Sequence, residues 1–194
     1  HLDLDCILYD MENLAAEMLK LLGRNNEADK FIGYSEKRKE LMNKYYLTSD
    51  GIYLDYNMET GKHSEILSAA SLYPYAFGGS NDKDGALRGL KRLELPFGLS
   101  ACEKRDDDVF FQWDYPCMWP AATCLAYIGL KNIGLDADAK RIAGKYVNVA
   151  RNIFDETGRL WEKYDALTGK IAVTSEYETM PMMGWTAAVY RYFT

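Results

Sequence analysis

Apolar residues that recur every three or four positions constrain this chain more than anything else in it. The clearest run is 138–154, where Ala139, Ile142, Ala143, Tyr146, Val147, Ala150, Ile153 and Phe154 make one stripe of an amphipathic helix. The segment 4–22 repeats the pattern with Leu4, Ile7, Leu8, Met11, Leu14, Ala15, Met18 and Leu22, a stripe expected to face a core, and stops at Gly23. Weaker helical patterns cover 27–47, 65–77, 82–94, 118–131 and 183–194. Strand patterns are brief: residues 51–56 and 159–164 alternate, each shortly before a Thr-Gly turn at Thr60-Gly61 and Thr168-Gly169.

The links between these helices alternate in length. Residues 23–26, 78–81 and 132–137 are tight, whereas 48–64, 95–117 and 155–182 are long. Antiparallel hairpins joined in this way put every long loop at one end of the stack, and long ordered loops in a compact domain are usually functional. The layout is that of an all-α toroid built from helical hairpins. Seven helices are too few to close a ring of six hairpins.

Composition narrows the function. A net charge of −6 leaves no excess of Lys and Arg to neutralise phosphates, which argues against a nucleic-acid partner. No apolar run reaches the ~18 residues of a membrane span. The cysteines Cys6, Cys102, Cys117 and Cys124 lack metal-ligand spacing, so no zinc is expected, nor any cofactor. Cys117 and Cys124 are spaced to lie on one helical face. Free, reduced thiols point to the cytoplasm, while a first residue of His1 in place of Met leaves a processed leader open.

The long loops carry the chemistry. Residues 112–120, QWDYPCMWP, gather two tryptophans, two prolines and a carboxylate. Flat aromatic faces can cover the C–H faces of a sugar ring while Gln112 and Asp114 hydrogen-bond its hydroxyls. The third loop holds Glu162 between Trp161 and Tyr164, and Glu176 before Tyr177. Carboxylates among aromatic walls can be oriented as a general acid or base requires. The run Asp106–Asp108 reads as a hydrated turn, and neither His1 nor His63 has partners suggesting a triad.

With these residues in view, QWDYPCMWP resembles the signature of the trehalases, glycoside hydrolase family 37. Three further motifs follow the same order. LDLDCILYDME, residues 2–12, looks like the opening Val-Asp-Leu-Asn helix of that family; WEKYD, residues 161–165, is similar to its Glu-Lys-Tyr-Asp motif; and Ser175-Glu176-Tyr177 followed by Gly184-Trp185-Thr186 resembles its ending. The resemblance implies an (α/α)6 toroid that hydrolyses an α-glucosidic bond with inversion, converting α,α-trehalose to glucose. It places the general base at Glu162 and sugar contacts at Gln112, Trp113 and Trp119. Glu176 is then a further site carboxylate, and Asp114 braces the loop beside the sugar.

The family's catalytic acid lies in a Gly-Trp-Asp motif upstream of the region matching residue 1. Residues 1–194 are therefore expected to be a single toroid-like domain, the C-terminal portion of a longer catalytic domain, inactive alone and partnered by the N-terminal part of the toroid. Met118, Ala121, the glycine-free stretch 170–175 and the stretch 178–183 depart from the trehalase pattern, so a family 63 α-glucosidase is the alternative enzyme. A non-catalytic carbohydrate-binding helical domain is the alternative of another class.

Overall fold

Each tight link turns on a glycine in the left-handed region, Gly23 at φ 72°, Gly78 at φ 77° and Gly134 at φ 74°, a conformation that costs other L-residues energy. The computed structural model describes residues 1–106, 110–181 and 184–194. Among these residues run seven α-helices: α1 (Leu2–Leu21), α2 (Asn25–Tyr45), α3 (Tyr73–Ala76), α4 (Lys83–Leu93), α5 (Pro120–Asn132), α6 (Asp136–Thr157) and α7 (Gly184–Phe193). Asp82 caps α4 by accepting from the backbone of Asp84 and Gly85. Pro120 opens α5 at a position that tolerates its missing N–H. The αL residue Gly158 closes α6.

α1 packs on α2, α5 on α3 and α6, and α7 closes against α5 and α6. One core cluster lies between α3, α4 and α5, with Leu72, Leu90, Leu93, Ala126 and Leu130 almost fully buried. A second joins α6 and α7 to the loops through Met118, Tyr146, Ile153, Tyr164 and Val189.

The long loops hold three two-residue antiparallel ladders. β1 (Tyr56–Asn57) pairs with β2 (Lys62–His63), β3 (Glu94–Leu95) with β4 (Gly98–Leu99), and β5 (Cys117–Met118) with β6 (Tyr164–Asp165). The two Thr-Gly turns form as expected, with Gly61 at φ 68° and Gly169 at φ 69°. The β5–β6 ladder joins the second long loop to the third. The first reaches the α1 N-terminus, where Asp55 Oδ1 accepts from Leu2 N at 2.8 Å.

Three expectations change. The stretch 65–77 is not one helix: a 3-10 turn, Ala69–Leu72, leads into the short α3. Its N-terminal end is extended because Leu67 N donates to Glu103 Oε2 and Ala69 N to Ala101 O, so the second loop supplies acceptors that a helix would otherwise provide. Cys117 belongs to β5 and Cys124 to α5, so they share no helical face. The α1 stripe does not face the core: Leu4, Ile7, Met11, Leu14, Met18 and Leu22 are exposed, and the helix buries Leu2, Cys6 and Ala16 on the side toward its neighbours. Asp107 and Asp108 of the acidic run lie outside the described residues, as do Met182 and Met183, which take in the start of the 183–194 helix and the end of the 178–183 stretch.

α5 crosses α3 where Gly129 has no side chain. A Cβ there would stand 2.9 Å from Ala76 N and 3.0 Å from Leu72 O, both backbone atoms that cannot swing away. Gly129→Ala should therefore lower stability by about 1–3 kcal/mol despite alanine's better helix propensity. Thermal and urea unfolding check this, and an unchanged or raised midpoint would mean that the two segments are not in close contact.

Candidate active site

The aromatic loop is built on the start of α5. Trp119, the residue before that helix, is 2 % exposed, and its indole N–H donates to Gln112 O at 2.7 Å. That bond answers the polar requirement of a buried indole. The Trp113 ring stacks on Trp119 at 4.1 Å between centroids and 13° between planes, and Trp113 remains 49 % exposed. Trp185 meets the Trp119 ring edge-on at 5.3 Å. Trp113 is thus a presented face and Trp119 its buried support, although both were expected beside the sugar. Beyond Trp113 lies a hollow of about 350 Å³, walled by Asp3, Tyr73 and the small side chains of Ala69, Ala101 and Ala122.

Asp114 turns inward on its own loop. Its Oδ2 accepts from Phe111 N at 3.1 Å, its carbonyl accepts from Cys117 N at 2.9 Å, and Arg105 stands 3.8 Å from Oδ1. These contacts hold the turn that aims Gln112 and Trp113.

The third loop delivers the carboxylates. The β5–β6 register places Met118 opposite Tyr164, just beyond Glu162 and Lys163 in the chain. Glu162 is 9 % exposed, and its backbone N–H is fixed by Met180 O at 3.0 Å. Its Oε2 accepts twice, from Lys163 Nζ at 2.8 Å and from Tyr177 Oη at 2.7 Å. Lys163 Nζ also donates to Tyr177 Oη at 2.8 Å. The Tyr177 hydroxyl has one proton and two acceptors in reach, since Gln112 Oε1 lies 3.1 Å away. The shorter contact, to the ionised oxygen, is the stronger claim on that proton. Glu162 Oε1 has no hydrogen-bond partner among the described residues.

Glu176 is exposed, and its Oε2 accepts from the backbone N–H of Gln112. The neighbouring Ser175 N donates to Phe110 O at 2.8 Å, so the two loops are laced together on both sides of Gln112. The structure thus gathers Glu162, Gln112, Trp113, Trp119 and Glu176 within one chain of contacts. Two members had no expected role. Tyr177 and Lys163 entered only as letters of the Ser175-Glu176-Tyr177 and WEKYD motifs, with no role of their own attached.

Burial pulls the Lys163 ammonium toward neutrality, but its bonds to Glu162 and Tyr177 outweigh that and hold its pKa above the usual lysine value. Burial likewise raises the Tyr177 phenol, so its proton stays in place near neutral pH. The Cys117 thiol is pushed up to about 12 by burial, which removes it as a nucleophile. All four cysteines are free, and no cluster of three or more His, Cys, Asp or Glu suited to a metal occurs among the described residues. No helix among them is long and apolar enough to cross a membrane.

A stack of helical hairpins that gathers an anchored carboxylate and a tryptophan platform on its loops belongs to the α/α-toroid class of fold. The trehalase family model matches residues 1–194, and the chain belongs to that family. It is 28 % identical over 192 residues to the periplasmic trehalase of Citrobacter koseri and 29 % identical to that of Escherichia coli strain SMS-3-5, covering 96 % of this chain in each case. Those matches take in 33 % and 34 % of the relatives, so the chain spans about a third of their length. Its fold is similar to the neutral trehalase of Saccharomyces cerevisiae, with a TM-score of 0.81 at 24 % identity over all of this chain and 37 % of that one. It is also similar to a family 63 mannosylglycerate hydrolase of Thermus thermophilus, with a TM-score of 0.74 at 16 % identity over 98 % of this chain and 47 % of the other. The seven helices are accordingly part of an (α/α)6 toroid.

If Glu176 clamps the aromatic loop, Glu176→Ala should free the Gln112 amide. Hydrogen exchange at Gln112 is expected to quicken severalfold, with the amides of α5 unchanged. Unaltered protection at Gln112 would mean that the clamp does not form in solution.

Proposed function

We propose that this chain is the base-carrying C-terminal part of a trehalase-like inverting glycoside hydrolase that cleaves α,α-trehalose to glucose. The observation that carries the reading is Glu162: a nearly buried carboxylate with Oε2 doubly anchored and Oε1 without a hydrogen-bond partner among the described residues, close to Gln112 and the Trp113 platform. Inversion needs a carboxylate that takes a proton from water on one ring face and an acid that protonates the leaving oxygen on the other, roughly 6.5–9.5 Å away. Glu162 supplies the first. Its unbonded Oε1 is the atom that receives the water proton. Trp113 offers its exposed ring to the sugar's C–H face. Gln112 reaches the sugar from the same loop. Trp119 and Asp114 hold that loop in place, and Glu176 pins it from the opposite side.

The acid belongs to the N-terminal part of the longer enzyme, which is also the partner for α1. The exposed stripe of Leu4, Ile7, Met11, Leu14 and Met18 is a ready-made helix-packing surface. Covering it completes the ring and dries the site, which raises the strength of every electrostatic contact inside.

Glucose release from trehalose tests the reading. Residues 1–194 alone should stay at background, the full-length enzyme should turn over, and Glu162→Gln in the full-length enzyme should cut kcat by at least the ~10²–10⁴-fold of a lost general base. Sugar binding should survive, since the amide keeps the shape. Brisk turnover by Glu162→Gln would assign the base elsewhere. Glucose release from other α-glucosides but not from trehalose would move the chain to a family 63 type of substrate.

A further inference from the structure

A fully buried lysine next to the candidate base has no place in the scheme above. Lys163 is 0 % exposed. Its ammonium lies 4.0 Å from the Tyr177 ring centroid and 5.1 Å from that of Trp119. It donates to Glu162 Oε2 and to Tyr177 Oη, both at 2.8 Å. An ammonium enclosed in this way is too costly to keep for packing alone: the aliphatic volume could be filled by Met, and replacing a buried ion pair with apolar groups is often neutral or stabilising.

We infer that Lys163 is a positioning residue for Glu162: its ammonium, boxed by the Trp119 and Tyr177 rings, fixes one carboxylate oxygen and leaves the other free to take a proton from water. The inference rests on the proposed role of Glu162 as base. The geometry separates the tasks of the two oxygens. Oε2 receives both donors, so the carboxylate cannot rotate without breaking two charge-assisted bonds. Oε1 receives none among the described residues, so its lone pairs remain for the water. Tyr177 is the second anchor, and its single proton goes to Oε2. Trp119, expected to touch sugar, acts here through its buried ring as one wall of the ammonium box.

The other groups near this ammonium do not change charge where the base must work. The Tyr177 phenol and the Cys117 thiol are both raised by burial, and Lys163 itself is held above its usual value. Asp165 on β6 and Asp114 on the aromatic loop act on the Cys117 thiol, each raising it. The charge that disappears when Lys163 is replaced is therefore the one against Glu162.

The test is the pH profile of kcat/KM for trehalose in the full-length enzyme. A rate that depends on a carboxylate base falls on the acid side, and a carboxylate that loses a cation at hydrogen-bond distance is easier to protonate, which moves such a fall to higher pH. Lys163→Met should shift the acid limb upward by about one to two pH units and lower kcat tenfold or more, with KM changed less than about threefold. Lys163→Arg keeps the charge and should leave the limb in place even where its bulk lowers kcat. Tyr177→Phe removes one neutral donor and should move the limb in the same direction by less, which keeps the inference open to refutation if Lys163→Met does not fold. An acid limb that stays put in Lys163→Met, or in Tyr177→Phe where Met is not tolerated, overturns the positioning role. Glu162→Gln is the separate control: if it retains turnover, the base assignment fails, whereas an inactive Glu162→Gln beside an unmoved limb in Lys163→Met sinks only the role of Lys163.

Discussion

The pairing of Cys117–Met118 with Tyr164–Asp165 is the contact on which the candidate site depends. It joins two long loops whose ordering costs on the order of 1–2 kcal/mol per residue in backbone entropy. Two ladder residues could not offset that alone. The ladder is held because its inward side chains belong to the core: Met118 and Tyr164 are both fully buried, and the Tyr164 ring meets Tyr146 of α6 at 6.0 Å. Ala166 N donates to Pro116 O, and Phe97 N to Ala166 O, so the β3–β4 turn is tied to the same strip. Because Trp119 opens α5 and Tyr164 packs on α6, the helix pair sets the spacing between the tryptophan platform and Glu162.

The same strip explains how a charge survives in the interior. Lys163 follows Glu162 directly, so the ion pair needs no long-range folding event to form. The surrounding aromatics supply what water would have given: quadrupole faces from Trp119 and Tyr177 and a hydroxyl acceptor. Such a pair contributes little net stability once desolvation is counted, which is why its presence speaks for function more than for folding.

The helices were legible in the sequence because period and glycine punctuation agree there: 138–154 against Asp136–Thr157, 82–94 against Lys83–Leu93, with Gly23, Gly78 and Gly134 at the turns. The site motifs were legible through Gln112, Trp113, Glu162 and Glu176, rare residue types in an ordered sequence of four motifs. What failed did so for stated reasons. The 65–77 segment has helical spacing, but its backbone is captured by Glu103 and Ala101 from more than thirty positions away, and period carries no information about such partners. The burial of Lys163, a residue seen only as part of the WEKYD motif, was not legible because it depends on Trp119 and Tyr177, neither adjacent to it in sequence. The α1 stripe was read correctly as apolar and wrongly as facing this chain's own core. Periodicity identifies a face that needs cover without naming what covers it.

That distinction bears on how the site works. A stripe of Leu4, Ile7, Met11, Leu14 and Met18 left in water exposes apolar area that costs about 25 cal/mol for every Å². On the proposed reading, the upstream helices that bury it also bring the acid across from Glu162, so folding of the ring and assembly of the two carboxylates are one event. The base side needs no such completion to be shaped: Oε2 is already held, and the Trp113–Trp119 stack is already formed. Closing the ring would therefore change the site mainly by excluding water and supplying the second carboxylate, and only slightly by moving Glu162. A base pre-oriented before the acid arrives keeps the cost of reorganisation out of the chemical step, which is where electrostatic preorganisation has its effect.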